Sequence, residues 1–443
     1  MISQTPMSEK AVVKEKPKAE KETFLAPRGM HDILPEDWPA RERVGALTRK
    51  IAEFYNFSRI ETPLLEDAGL IVRVVGADTD AAEKELYTVR AKGGESFALR
   101  PENVTGVVRA FAEHKLARGA AFQKFWHSGP MFRYERPEAG RLRAFTQFGL
   151  EVIGANDPLY DAEAILIFWK VLEELKLKGL VLKVNSIGCR ICRPAYIRQL
   201  QNYYKNYAER LCEDCNRRVK VNPLRLLDCD RDACAALKTE APSFFDKLCS
   251  PCSTQMTGVL EYLDEAGIPY SLDNLLVRGL DYYVRTVFEI GIAGAPGEAL
   301  GVLAGGGRYD YLFETLGMKA TPASGGALGI ERVIEAMRLQ EIVVAPKSER
   351  RIFIMHVGEL AKKKLLKLME ELRLAGILVD EALSKDSLNA QLKFATKDGT
   401  SLALIVGQKE IFEGSVIIRD MKHSTQETVP RARMVEEIKK RLK

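Results

Sequence analysis

The stretch from Gly129 to Gly154, GPMFRYERPEAGRLRAFTQFGLEVIG, leaves the chain few ways to fold. A β-prone run, Phe125 to Tyr134, enters a polar loop, Glu135 to Arg143, that carries Pro137, Gly140 and five charges. An apolar run, Ala144 to Ile153, follows. Two such runs around turn residues predict an antiparallel hairpin with a long charged loop. Arg133, Arg136, Arg141 and Arg143 crowd around it, beside Glu135 and Glu151. Planar guanidinium groups on a rigid strand pair suit multidentate gripping of phosphate. The same residues also fit a merely solvated, charged hairpin.

A second constraint is cysteine spacing. All eight cysteines fall between 189 and 252, as Cys189-x-x-Cys192, Cys212-x-x-Cys215, Cys229-x4-Cys234 and Cys249-x-x-Cys252. The first 23 residues are Lys/Glu-rich and lack the apolar core of a secretory signal. They read as a disordered tail, and cytoplasmic residence is the expectation. In that compartment the spacing favours thiolate ligation of a metal over disulfides. Tetrahedral Zn(II) with four Cys fits, and eight ligands allow up to two sites. Such an ion would stabilise a small inserted module, at about 189–256, that has little core of its own. Spacing leaves the pairing open, and some pairs fit equally well as buried thiols. Closed four-Cys sites have no open position for catalysis.

At 443 residues the chain calls for two or three domains. It has no run of about 18 apolar residues, so no membrane span is expected. Pro39 to Phe54 has helical spacing, with Val44, Leu47, Ile51 and Phe54 on one face. Phe57 to Leu65 reads as one strand carrying Pro63, which implies an edge or a bulge. Glu85 to Val89 and Ser96 to Leu99 predict a hairpin, and Pro158 to Leu175 an apolar helix. Glu341 to Arg350 reads as a linker. Beyond it, strands and helices alternate over residues 351–443, predicting a small α/β domain with a largely parallel core. There 18 Lys and Arg meet 13 Asp and Glu, which accounts for the whole net charge of +5. That excess is compatible with a nucleic-acid partner and equally with an ordinary solvated surface.

F-R-x-E-R-P at Phe132 to Pro137, followed by R-x-R-x-F-x-Q-F-G-x-E at Arg141 to Glu151, resembles motif 2 of class II aminoacyl-tRNA synthetases in their histidyl-tRNA synthetase form. Four other stretches resemble the family in the same order. The helix and strand around Pro63 are similar to motif 1, which implies a homodimer interface. Arg278-Gly279-Leu280-Asp281-Tyr282-Tyr283 resembles a histidine-specific motif, and Leu303 to Leu316, with Gly305 to Gly307, a second one. Ser324 to Met337 looks like motif 3.

The resemblance implies an α+β fold. A class II antiparallel-sheet catalytic domain over 24–340, with the cysteine-rich insertion, would precede an anticodon-binding domain over 351–443. It implies ATP-dependent activation of L-histidine, then its transfer to the 3′ end of tRNA(His), with Mg(II) on the phosphates. Arg133 and Arg278 would act on the α-phosphate, and Arg332 with Arg141 on the γ-phosphate. Glu135 would accept from the adenine amino group and Phe145 would stack on the ring. Glu102, Asn103, Val104, Gln147, Glu151, Arg278, Tyr282 and Tyr283 would enclose histidine. The family commonly has Gly-Thr after the acid where this chain has Asn103-Val104, which leaves Thr105 as the nearest hydroxyl. A rival reading is an inactive relative, the regulatory subunit of ATP phosphoribosyltransferase. Such proteins lack the C-terminal domain and much of the arginine set.

Overall fold

The computed structural model describes residues 24–77, 79, 82, 84–117, 122–138, 140–229, 231–344, 351–397 and 399–442. The expected N-terminal tail and most of the expected linker lie outside them. The chain divides into two compact units between Val344 and Ala345.

The hairpin forms the middle of the first unit. Gln123–Phe132 pairs antiparallel with Ala144–Ile153, from Gln123 opposite Ile153 to Phe132 opposite Ala144. Around it an eight-stranded sheet runs in the order Ser58–Arg59, Gln123–Phe132, Ala144–Ile153, Ala323–Gly329, Ala304–Arg308, Val284–Ile292, Leu180–Ser186, Ser271–Leu272. Pairing is antiparallel except at the two edges, where two-residue strands join in parallel.

Alternation along each strand gives the sheet two faces. Phe148, Leu150, Val152, Phe288 and Ile290 join the buried helix Leu159–Glu174 in the larger core, which also holds Trp169 and Leu172. This helix is apolar nearly all round because a second helix, Ser250–Glu265, packs on its outer side. A buried ion network pins the assembly. Arg308, wholly buried, pairs with Asp161 and Asp310 at 3.0 Å each, and Thr286 and Gln255 donate to Asp161. A buried charge is tolerated when its hydrogen bonds are met in this way. The opposite face carries Gln147, Glu151 and Glu289 and is left for the site.

The expected single strand over Phe57 to Leu65 is a correction. The chain forms Ser58–Arg59 in the main sheet, then breaks and re-forms Leu65–Asp67 in a separate three-stranded sheet with Ser96–Leu99 and Thr88–Arg90. Pro63 has no amide proton to donate and sits in the break.

The second unit is a five-stranded sheet in the order Leu378–Glu381, Arg351–Val357, Leu402–Gly407, Ser415–Asp420, Gln426–Pro430. The first three strands are parallel and the last two antiparallel, so the expected parallel core covers only half of the sheet. The sequence reads as a strand over Glu413 to Asp420, which the helix Gln408–Glu413 shortens to Ser415–Asp420, and the strand Gln426–Pro430 has no counterpart in the sequence reading. Helices Glu359–Leu374 and Met434–Arg441 share one core with Ile352, Leu404 and Ile418, while Leu388–Lys397 covers the other face through Ala395 and Phe353.

Candidate active site

The polar face of the main sheet floors a cavity of about 780 Å³. Arg133, Glu135, Arg141, Phe145, Gln147, Arg278, Tyr283 and Arg332 all line it. Glu102, Asn103, Val104, Glu151 and Tyr282 are buried. Two glycines are required by close approach. A Cβ on Gly325 would sit 2.2 Å from Glu151 Oε2, and one on Gly305 would sit 2.7 Å from Arg278 Nη1. Glycine at 305 and at 325 thus makes room for the side chains of Arg278 and Glu151.

The inner end is a chain of aromatic and acidic groups. Arg278 lies over the Tyr283 ring, 5.7 Å from its centre. The Tyr282 and Tyr283 hydroxyls are 3.5 Å apart, and the Tyr282 ring meets that of Tyr309 edge-on at 5.8 Å. Tyr309 donates its hydroxyl to Glu151 Oε2, and His127 Nε2 shares a hydrogen bond with Glu151 Oε1 at 3.3 Å. Glu151 is 1% exposed, and burial pushes its carboxyl up to about 8, against the Tyr309 hydrogen bond that pulls it down. Burial, helped by the charge of Arg100, pulls His127 down to about 4. Both groups are therefore neutral over much of the range between those values, which a dry pocket demands.

Glu102 stands just ahead of the helix Val104–Glu113. Its carboxylate accepts the Val104 amide at 2.5 Å, the Thr105 amide at 3.0 Å and the Thr105 hydroxyl. The free amides at a helix N-terminus suit a negative charge. Burial still raises the Glu102 pKa above its ordinary value, and the neighbouring Glu151 adds to this. Asn103 is buried, and its Oδ1 accepts from Arg100 at 3.0 Å and from the Thr62 hydroxyl at 2.6 Å. Val104 contributes its amide to Glu102 and its side chain to the core.

The outer end is cationic. Arg133 donates to the Pro101 carbonyl at 2.9 Å and lies 5.2 Å over one face of Phe145. Arg332, on the helix Ile330–Leu339, donates to the carbonyls of Gly140 at 2.5 Å and Val302 at 2.7 Å. Its pKa is lowered, first by burial, then by the charges of Arg141 and Arg133. Three guanidinium groups thus stand close enough to repel, which is the condition an anion relieves. Arg278 donates to Glu289, and its Nε is buried without a hydrogen-bond partner. Of the other hairpin arginines, Arg143 packs over Tyr134 at 4.0 Å and Arg136 is exposed.

Sequence reasoning passed over Tyr309, His127 and Glu289. Tyr309 adjoins the glycine run, and His127 falls opposite Gly149 once the hairpin register is counted back from Phe132 and Ala144. It also passed over Arg218 and Arg225, which line the cavity from the cysteine-rich arm.

The cysteines gather into two groups of four that could hold a metal ion: Cys189, Cys192, Cys249 and Cys252, and Cys212, Cys215, Cys229 and Cys234. Within each, the sulfurs lie within 4.8 Å of one another. In the first, Sγ separations are 3.8 Å for Cys189–Cys192, 3.7 Å for Cys189–Cys249 and 3.8 Å for Cys192–Cys252. A disulfide needs about 2.05 Å. A tetrahedron with Zn–S of about 2.3 Å needs sulfurs about 3.8 Å apart. All eight are free thiols.

No helix among the described residues is long and apolar enough to cross a membrane. A family model described as histidyl-tRNA synthetase matches residues 29–333, and one described as an anticodon binding domain matches 341–441. A histidine–tRNA ligase of Dehalococcoides mccartyi is 42% identical over 419 residues, covering 95% of this chain and 100% of that one. A histidine–tRNA ligase of Pelotomaculum thermopropionicum is 41% identical, covering 91% and 94%. The structure of apo S. aureus histidyl-tRNA synthetase matches with a TM-score of 0.77 at 32% identity, over 94% of this chain and 99% of that one. A Bacillus halodurans protein described as an ATP phosphoribosyltransferase regulatory subunit/histidyl-tRNA synthetase shares the fold, with a TM-score of 0.60 at 20% identity over 88% and 99%.

Proposed function

The chain belongs to the histidyl-tRNA synthetase family, and from that premise we propose how its cavity ligates histidine to tRNA. The activity is that of a class II histidine–tRNA ligase, and the regulatory-subunit reading is not favoured. The observation that carries the residue assignment is the meeting of Arg133, Arg141, Arg278 and Arg332 on one cavity with Gln147 and Tyr283.

Histidine enters imidazole first, toward Glu151, Tyr309 and the Tyr282–Tyr283 pair. Its amino group lies toward Glu102 and Gln147. A substrate ammonium beside Glu102 offsets the burial that raises this carboxyl. ATP takes the outer end. Adenine stacks on the face of Phe145 that Arg133 leaves open, and Glu135 accepts from its amino group. The histidine carboxylate attacks the α-phosphorus, and the bond to the pyrophosphate oxygen breaks. Arg133 and Arg278 hold the charge on the α-phosphoryl oxygens, while Arg332 and Arg141 hold the departing pyrophosphate. Chemistry of this type needs positioning and charge compensation rather than a covalent protein intermediate. Glu289 on the cavity wall would hold Mg(II) together with the phosphates, and the ion would supply charge neutralisation for the leaving pyrophosphate. A 3′-terminal ribose hydroxyl of tRNA(His) then attacks the carbonyl of the adenylate and AMP leaves.

We assign one structural Zn(II) to each four-cysteine group. Residues 24–340 form the catalytic domain, with an arm at about 189–256, and residues 351–443 meet the anticodon. A homodimer forms through Trp38–Phe54 and the segment to Leu65, where Phe54, Leu64 and Leu65 are exposed. Residence is cytoplasmic. Pyrophosphate exchange with ATP tests the central reading: histidine alone among the amino acids should stimulate it. Exchange with no amino acid would overturn it.

A further inference from the structure

The second cysteine group closes a loop whose middle reaches the substrate cavity. Cys212 and Cys215 open the helix Glu213–Val221, and Cys229 and Cys234 follow the turn Pro223–Leu226. One set of four sulfurs therefore fixes both ends of the segment between Cys215 and Cys229. From that segment Arg218, Arg225 and Asp228 line the cavity.

The segment also grips the turn between Arg278 and Tyr283. Asn222 Nδ2 donates to Asp281 Oδ1 at 2.8 Å. Arg225 pairs with Asp228 at 2.7 Å, and its Nη1 lies 3.7 Å from where a Cβ on Gly279 would stand. Gly279 and Asp281 flank Leu280 in the short turn that has Arg278 at one end and the Tyr282–Tyr283 pair at the other. Glycine at 279 gives that turn no side chain of its own with which to hold its shape. Neither cysteine group has a member on the cavity wall; in the first, Cys189, Cys192 and Cys252 pack with Leu248 and Tyr311, and Arg193, next to Cys192, donates to the Tyr283 carbonyl at 2.6 Å.

We propose that the metal-closed loop is a brace for the substrate turn. Through Asn222, it positions Arg278 and Tyr283 for histidine activation, a step that involves no tRNA. Asn222 is a positioning residue, and the Cys212/Cys215/Cys229/Cys234 site is coupled to histidine binding. The proposal rests on the assignment of a metal to the second group.

The test uses the full-length protein loaded with zinc, with metal content and tRNA-free pyrophosphate exchange measured on each variant. Asn222→Ala should keep two zinc ions per chain and raise the KM for histidine by about three- to tenfold, as for one lost hydrogen bond to a carboxylate. Asn222→Asp should be worse, since two carboxylates then face each other. The paired exchange Asn222→Asp with Asp281→Asn reverses donor and acceptor and should recover most of the loss. Cys212→Ser with Cys215→Ser should lose one zinc and show the same rise in KM; should it fail to fold, the Asn222 series carries the test alone. Full zinc content with unchanged exchange in Asn222→Ala and Asn222→Asp overturns the brace. So does an effect confined to tRNA charging. Absence of zinc from the unaltered protein, whatever the Asn222 variants do, overturns the metal assignment instead.

Discussion

The two ends of the cavity solve opposite problems. At the inner end, Glu151, His127 and Tyr309 are nearly sealed from solvent and held together by hydrogen bonds between neutral partners. At the outer end, Arg133, Arg141 and Arg332 keep their charges, meet carbonyls and carboxylates, and are partly open to water. Burial makes the first end selective, because any guest that fails to satisfy its polar groups leaves them unpaired in a dry site. Charge makes the second end strong but permissive, because any polyanion of the right size relieves the repulsion there. The comparison predicts that discrimination among amino acids and affinity for nucleotide can be damaged separately.

The largest effect is expected where the two ends join. Arg278 touches the Tyr283 ring on one side and reaches the cavity on the other, with its Nε still unpartnered. Arg278→Ala should lower kcat for pyrophosphate exchange by about a thousandfold, the scale of removing a preorganised donor from developing charge. A change confined to KM would show instead that Arg278 serves binding alone. The comparison sharpens further with a pair of variants. Glu151→Ala leaves Tyr309 and His127 without a partner and should raise the KM for histidine about a hundredfold at unchanged KM for ATP. Arg332→Ala should do the reverse. If both variants raise both constants together, the two ends are not independent.

These two ends were not equally legible in the sequence. The arginines stood out because they are dense, sit at a predicted hairpin and recur in separate stretches. Glu151 was placed by its position in the family motif, and strand phase agrees, since Gln147 and Glu151 are four residues apart on one strand. The floor beneath it was hidden. Tyr309 reads as one more aromatic after a glycine run, and His127 as one more residue on an apolar strand, until register puts it across from Gly149. What a glycine makes room for is a tertiary fact: the space at Gly305 and Gly325 belongs to Arg278 and Glu151, which lie on other strands or turns. The same limit explains the fold. Long strands and helices with clear periodicity were readable. The break at Pro63, the pairing of the cysteines and the antiparallel edge Gln426–Pro430 depend on partners far along the chain. Asn103 is a histidine-binding candidate by its place in the family motif, and the engagement of its Oδ1 by Arg100 and Thr62 is a further contact that sequence does not show.

The smallest expected effect tests whether the inner end is neutral in the empty protein. Glu151 in the folded chain keeps its proton up to about 8, while unfolded it releases it near the ordinary value of 4.5. Between those values the folded state binds more protons than the unfolded, so stability falls as pH rises. His127 runs the other way. Folded, it takes a proton only below about 4, while unfolded it takes one below 6.5, so its contribution rises with pH across that interval. From 4.5 to 6.5 the two slopes oppose each other, which leaves a net fall between 6.5 and 8. At about 1.4 kcal/mol per pH unit, that fall is about 2 kcal/mol. Denaturant melts of the ligand-free protein and of Glu151→Gln at a series of pH values isolate the Glu151 part by difference, since Cys189, lowered to about 6, gives an opposing rise in the same window. Glu151→Gln, which can still accept from Tyr309 but has no proton to lose, should flatten the curve over the same window. An unchanged slope in that variant would mean that Glu151 is already ionised in the empty pocket, and that the inner end is charged after all.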